Sequence, residues 1–213
     1  MFRTAEIPKE ASRTSTWTNL IGGIKIVRST GASSTLSFAA EDSSGTEGFV
    51  MSGHAAYNAG IGGPIYQPTT LRLVSYVDDI GGYYADAAWV EATNVQPQVY
   101  HTDTDILKDV TNFEDTTDGS KVYMSGITSG KQTGYVIDDY IQVTSPTFGT
   151  LYRQFKADYT SAGGDSGAPV YKLTPPDGVK IVGVNWGYTV NYSYFSPISG
   201  VIYDLGGVEP IEV

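Results

Sequence analysis

Short stretches in which apolar and polar side chains alternate, or in which a few apolar residues run together, recur between clusters of Gly, Asp, Ser and Pro. They are IKIVR (24–28), TLSFAA (35–40), GFVMS (48–52), LRLVSYV (71–77), AAWVEA (87–92), KVYMSG (121–126), TGYVIDDYIQVTS (133–145), TLYRQFKA (150–157), APVYKL (168–173), KIVGVNW (180–186) and NYSYFSPI (191–198). A period of two places successive side chains on opposite faces of a strand, and short apolar runs bounded by turn residues suit strands buried on both faces. No long helical pattern is present. The pattern therefore predicts an all-β chain of at least eleven strands, a barrel or a sandwich, with helix only just after His54 and near residues 198–205. Residues 1–19 carry neither period and read as a mobile arm or the remnant of a pro-segment. The polar, acidic stretch HTDTDILKDVTNFEDTTDGS (101–120) divides the rest, so the expected halves are 20–110 and 111–213.

Composition narrows the chemistry. The 213 residues carry 23 Asp and Glu against 13 Lys and Arg, a net charge of −10, which argues against nucleic-acid or anionic-membrane partners. No apolar run reaches the length of a membrane span. Residues 1–20, with Arg3, Lys9 and Arg13 and no apolar core, do not read as a secretory signal. The absence of Cys removes disulfides, thiolate metal sites and cysteine nucleophiles, and two His leave no multi-histidine site. The Asp-rich stretch 101–120 lacks the glycine-centred twelve-residue spacing of a calcium loop. No metal or cofactor is expected.

The stretch GGDSGAPVY (163–171) surrounds one Asp-Ser pair with residues of permissive backbone. By itself it reads equally well as a hairpin or as a loop that presents a hydroxyl. A serine nucleophile needs an adjacent base and a group to orient that base. His54, at the end of an apolar strand, is a better base than His101, which lies in the most polar part of the chain. Asp86, followed directly by an apolar strand, is the candidate orienting acid. Each of the three has a plain structural reading when taken alone. Together, in the order His54, Asp86, Ser166, they are far more specific.

At these residues the chain resembles the chymotrypsin-like serine peptidases, and within them the bacterial streptogrisin and α-lytic branch. The stretches FVMSGHAAY, DAAWV, GITSGKQTGYV, GGDSGAPVY, IVGVNWGY and YFSPIS carry the likeness, over roughly residues 20–205. The resemblance implies two six-stranded antiparallel β-barrels with the active site in the cleft between them. It implies Ser166 as nucleophile, His54 as general base and then acid, and Asp86 as the group that holds the imidazole. The N–H groups of Gly164 and Ser166 would form the oxyanion hole, with Asp165 supporting that loop. The backbone of Asn185, Trp186 and Gly187 would pair with an extended polypeptide substrate. Thr160, six positions before Ser166, would stand at the specificity pocket, where a neutral residue implies an uncharged apolar or aromatic side chain at the cleaved position. A secreted, monomeric endopeptidase without cofactor follows from the resemblance.

The chain departs from the family pattern at Ala55, Ala162, Asn185 and Met124, and mildly at Ala168. Ala55 and Ala162 stand where the family has cysteines, so packing and hydrogen bonds must hold both loops without the ~2–4 kcal/mol a disulfide gives. The cleft-strand position that joins the Asp–His network holds Asn185. Met124 occupies the place of the arginine that pairs with the acid before the nucleophile; cleavage after Asn19 would free an amine at Leu20 as another partner for Asp165. Two other readings remain: a catalytically silent relative that binds peptides or proteins in the same cleft, and an unrelated β-sandwich.

Overall fold

A ring of paired strands forms the second half of the chain. The structure, a computed structural model, describes residues 12–103 and 107–213. In the second half β12 (Lys121–Gly126) pairs with β13 (Gly130–Ser145), and β13 with β14 (Gly149–Ala157). β14 pairs with β17 (Ser193–Pro197), β17 with β16 (Gly178–Tyr188), β16 with β15 (Pro169–Thr174), and β15 returns to β12. Six antiparallel pairings thus close on themselves, which removes every free edge.

The first half closes in the same way, with breaks inside two strands. β2 (Lys25–Arg28) pairs with β6 (Pro64–Tyr66) and β6 with β7 (Leu73–Tyr76). The chain continues into β8 (Asp79–Ile80), which pairs with β9 (Ala88–Glu91); β9 pairs with β5 (Glu47–Met51) and β5 with β4 (Phe38–Glu41). β3 (Ser33–Thr35), just before β4, pairs with β2 and completes the circuit. Between the rings run β10 (Val95–Tyr100), parallel to β1 (Leu20–Gly22), and β11 (Leu107–Phe113), parallel to β16.

Three apolar clusters follow from this arrangement. One fills the first ring around Ile24, Ile26, Phe49 and Met51. Another fills the second ring around Val122, Met124, Phe155 and Phe195. The third lies between the rings and joins Phe38, Val50 and Trp89 to Ile181, Val184 and Val201. β16 shows why the run KIVGVNW carries so little polarity: Val182 faces the second ring's interior while Ile181 faces the seam between the rings.

The two short helices fall where the sequence places them, α1 at Gly53–Tyr57 and α2 at Ile198–Asp204. After α2, β18 (Glu209–Pro210) pairs with β4, so the chain's end returns to the first ring. The short strands β1, β3, β6, β8 and β18 were not anticipated, nor were β10 and β11, because VQPQVY and LKDVTNF are too polar for the hydrophobic pattern to reveal. The expectation of a mobile arm needs correction for residues 12–19, and residues 1–11 lie outside the described residues. Arg13 is 8% exposed, its carbonyl accepts from the Lys25 N–H, and Trp17 packs on the first core. Gln67 holds the same segment, donating to Ser15 O and accepting from the Trp17 N–H. No helix among the described residues is long and apolar enough to cross a membrane.

Candidate active site

His54 is set by the junction of β5 with α1. The preceding Gly53 has no room for a side chain, since a Cβ would lie 2.8 Å from Ala87 O and 3.1 Å from the Phe148 ring. Phe148 stands at the tip of the β13–β14 hairpin and packs edge-on against Tyr57, so the second half touches the first beside His54. Asp86, on the loop between β8 and β9, is fully buried and meets His54 twice. Its Oδ1 accepts the His54 backbone N–H at 2.8 Å, and its Oδ2 lies 2.9 Å from Nδ1 of the ring. A buried carboxylate facing Nδ1 keeps the proton on that nitrogen and leaves Nε2 as the acceptor. The Asp86 N–H in turn donates to Ser196 Oγ at 2.9 Å.

Ser166 sits on a loop that only glycines can shape. Gly164 and Gly167 have φ of +102° and +88°. A Cβ on Gly167 would come within 2.2 Å of Thr35 O. Thr35 of β3 is the loop's strut: its N–H donates to Ser166 O at 2.9 Å and its hydroxyl to Gly164 O at 2.8 Å. Among the described residues the N–H groups of Gly164 and Ser166 have no protein acceptor. His54, Asp86 and Ser166 line one cavity of about 580 Å³, with Trp186, Gly187 and Tyr194 on its wall. The Ser166 hydroxyl and the His54 ring share this cavity without a hydrogen bond between them.

Asp165 is buried and satisfied by backbone. Its Oδ1 accepts from the N–H groups of Thr128 and Ser129 at 2.8 and 3.1 Å, and its Oδ2 from Ala162 at 2.9 Å. The nearby positive charge comes from the N-terminal segment. Gly126 lies against Asp165, and on the other side of Ser125 sits Arg13, donating to Ser125 Oγ at 2.7 Å. Arg13 also donates to Gly23 O, Tyr100 O and His101 O, and its guanidinium lies 4.2 Å above the Tyr100 ring. Burial lowers the Arg13 pKa, and the surrounding Tyr171, Tyr100, Asp103 and Asp165 oppose that fall. The Leu20 N–H, considered above as a source of charge, is bonded to Asn94 O at 2.8 Å.

The remaining expected positions divide. Trp186 and Gly187 face the cavity. Asn185 is 2% exposed and braces the Ser166 loop, its backbone bonded to Gly167 and Ala168 and its side chain to Tyr159 OH and Asp165 O. Among the described residues Asn185 makes no hydrogen bond to Asp86 or His54; the hydroxyl at the Asp86 backbone N–H is that of Ser196. Thr160 is exposed, donates to Gln132 Oε1, and does not line the 580 Å³ cavity. His101 is buried against Tyr171, with Nδ1 2.8 Å from the phenol oxygen, away from the cavity. Thr35, Gln154 and Ser196 were missed: a polar residue inside a strand pattern does not reveal that its partner lies in the other ring. Among the described residues no cluster of side chains could hold a metal ion.

No protein-family model and no curated protein sequence matches the chain. Solved structures do. Thermobifida fusca protease A superposes with a TM-score of 0.77 at 24% identity, over 92% of this chain and 100% of that one. The chain has the chymotrypsin-like serine protease fold. A chymotrypsin from Cellulomonas bogoriensis matches at a TM-score of 0.74 and 22% identity, over 92% of this chain and all of that one. A glutamic-acid-specific serine protease that uses a histidine triad in substrate binding matches at 0.75 and 19%, over 90% and 100%. His54, Asp86 and Ser166 line one cavity, with His54 and Asp86 contributed by the first ring and Ser166 by the second.

Proposed function

We propose that the protein is a serine endopeptidase that cleaves polypeptides through an acyl-enzyme. The observation that carries this reading is the two-point contact of His54 with buried Asp86, on the wall of the cavity that also holds Ser166. In the proposed reaction, His54 Nε2 takes the Ser166 proton as the serine oxygen attacks the substrate carbonyl. The N–H groups of Gly164 and Ser166 receive the negative charge that develops on the carbonyl oxygen. The imidazolium, held against Asp86, then gives its proton to the leaving amine. Water, activated by the same imidazole, releases the acyl group.

An extended substrate would lie along Trp186 and Gly187. Tyr194 and the Trp186 wall favour an uncharged residue at the cleaved position. The histidine-based recognition named for the glutamic-acid-specific relative has no counterpart, because His54 is paired with Asp86 and His101 is buried. The same reading has the enzyme acting outside the cell as a monomer, which fractionation and light scattering check. The open Ser166–His54 contact favours one rival, a relative that binds peptides without turnover. Hydrolysis of peptide substrates with an aromatic, a basic or an acidic residue before the scissile bond separates the two. The endopeptidase reading expects cleavage of the aromatic substrate, abolished in Ser166→Ala. Tight peptide binding with no cleavage supports the rival.

A further inference from the structure

The loop that delivers Asp86 is held from the other side of the cleft. Five successive N–H groups, 82 to 86, all donate to side chains of the C-terminal segment. Those of Gly82, Tyr83, Tyr84 and Ala85 converge on one oxygen, Oδ2 of Asp204, at 3.2, 2.8, 2.8 and 2.9 Å. The fifth, that of Asp86 itself, reaches Ser196 Oγ. Successive backbone N–H groups that curl around one point form a nest for negative charge, and the last residue of α2 supplies it. Gly81 makes the approach possible, since a Cβ there would lie 2.7 Å from Asp204 Cβ.

Gln154 of β14 braces the same loop. It is fully buried, and every hydrogen-bonding position of its amide is used. Nε2 donates to Tyr84 O and Tyr152 O, both at 2.7 Å. Oε1 accepts from Trp186 Nε1 at 2.8 Å and from Ser196 Oγ at 2.9 Å. A continuous path therefore runs from Trp186, on the wall of the cavity, through Gln154 and Ser196 to the Asp86 backbone. Outside it the seam is aromatic: Tyr83 packs tilted against Tyr152, Tyr84 meets Tyr203 edge-on, and Arg153 lies over Tyr84.

We propose that Asp204 and Gln154 are positioning residues for Asp86, so that the second ring sets the alignment of the His54–Asp86 pair carried by the first. The proposal rests on the endopeptidase reading for its kinetic test, and has a second readout that does not. Asp204→Ala lets the loop relax, and a misplacement of about 1 Å can cost about 100-fold in rate. In the full chain, kcat is expected to fall by about 10- to 100-fold with KM within about twofold. Asp204→Asn keeps an acceptor oxygen and restores most of the rate. Gln154→Met, of similar volume, lowers kcat in the same way. Asp42→Ala, which loosens the distant β4–β5 turn, is the control for stability alone and leaves kcat unchanged.

The second readout is the far-downfield proton resonance of His54 Nδ1–H, which reports the bond to Asp86 whether or not the protein turns over substrate. It is expected in the parent, displaced or broadened in Asp204→Ala and Gln154→Met, and restored in Asp204→Asn. A parent protein with the resonance but no hydrolysis refutes the endopeptidase reading and leaves this test standing. Folded Asp204→Ala and Gln154→Met proteins with the parental resonance and parental kcat overturn the proposal. If Asp204→Ala does not fold, Gln154→Met decides it by the same signal.

Discussion

A single hydroxyl on β3 fixes the peptide groups on which the Ser166 loop turns. Thr35 Oγ1 donates to Gly164 O and accepts from the Ile127 N–H at 3.2 Å. Thr35→Val keeps the shape and leaves both partners unpaired, at about 1–3 kcal/mol for a buried group. Gly164 is then free to rotate its peptide out of line. Loss of one oxyanion donor typically costs about 10²–10³ in kcat, so a fall of about 10-fold or more with little change in KM is expected from steady-state kinetics. Gly167→Ala should be worse, because its φ is +88° and Thr35 O lies 2.2 Å from the new Cβ. These glycines were legible in GGDSGAP, since positive φ and close backbone approach require glycine. Thr35, Gln154 and Asp204 were not. Their partners lie 129, 70 and 120 residues away, and nothing local marks a strand threonine as a brace.

The N-terminal segment behaves as a structural element even though no period in its sequence announces one. Arg13 reaches in from residues 12–19 to Ser125, toward Asp165 of the Ser166 loop. Arg13→Met should lower the melting temperature, because it removes the donor to Ser125 Oγ and one donor to each of the Gly23, Tyr100 and His101 carbonyls. Deletion of residues 1–19 should do so further, since it also removes Trp17 from the first core. A truncated protein as stable as the parent would contradict this role. The β4–β5 turn offers a pH test. Asp42 has its pKa lowered, first by the Ser44 hydroxyl and then by the Thr46 N–H. A carboxylate lowered on folding stabilises the protein above its unfolded pKa, and that stability is lost as pH falls through the folded value. The melting-temperature difference between the parent and Asp42→Ala should therefore be present at neutral pH and vanish in strong acid. The strands that the hydrophobic pattern found are those with a face in a core. Those it missed, β1, β3, β6, β8, β10, β11 and β18, are short or largely polar.

The molecule is two closed rings whose seam holds a hydrophobic core and the cavity of the candidate site. Phe38, Val50 and Trp89 meet Ile181, Val184 and Val201 beneath the same surface where His54 and Asp86 face Ser166. Neither ring holds the full set of groups. The first carries His54 and Asp86 and lends Thr35 to the serine loop; the second carries Ser166 and lends Asp204 and Gln154 to the acid's loop. The order of the motifs pointed to this architecture, but the cross-bracing could be seen only with the rings docked. The most direct measurement is the reaction of the intact protein with a fluorophosphonate, followed by mass mapping of the adduct. The account predicts one adduct, on Ser166, which forms more slowly as the medium is acidified and is absent from His54→Ala. A protein that stays unlabelled at neutral pH, or that carries the adduct elsewhere while Ser166 is untouched, would contradict it.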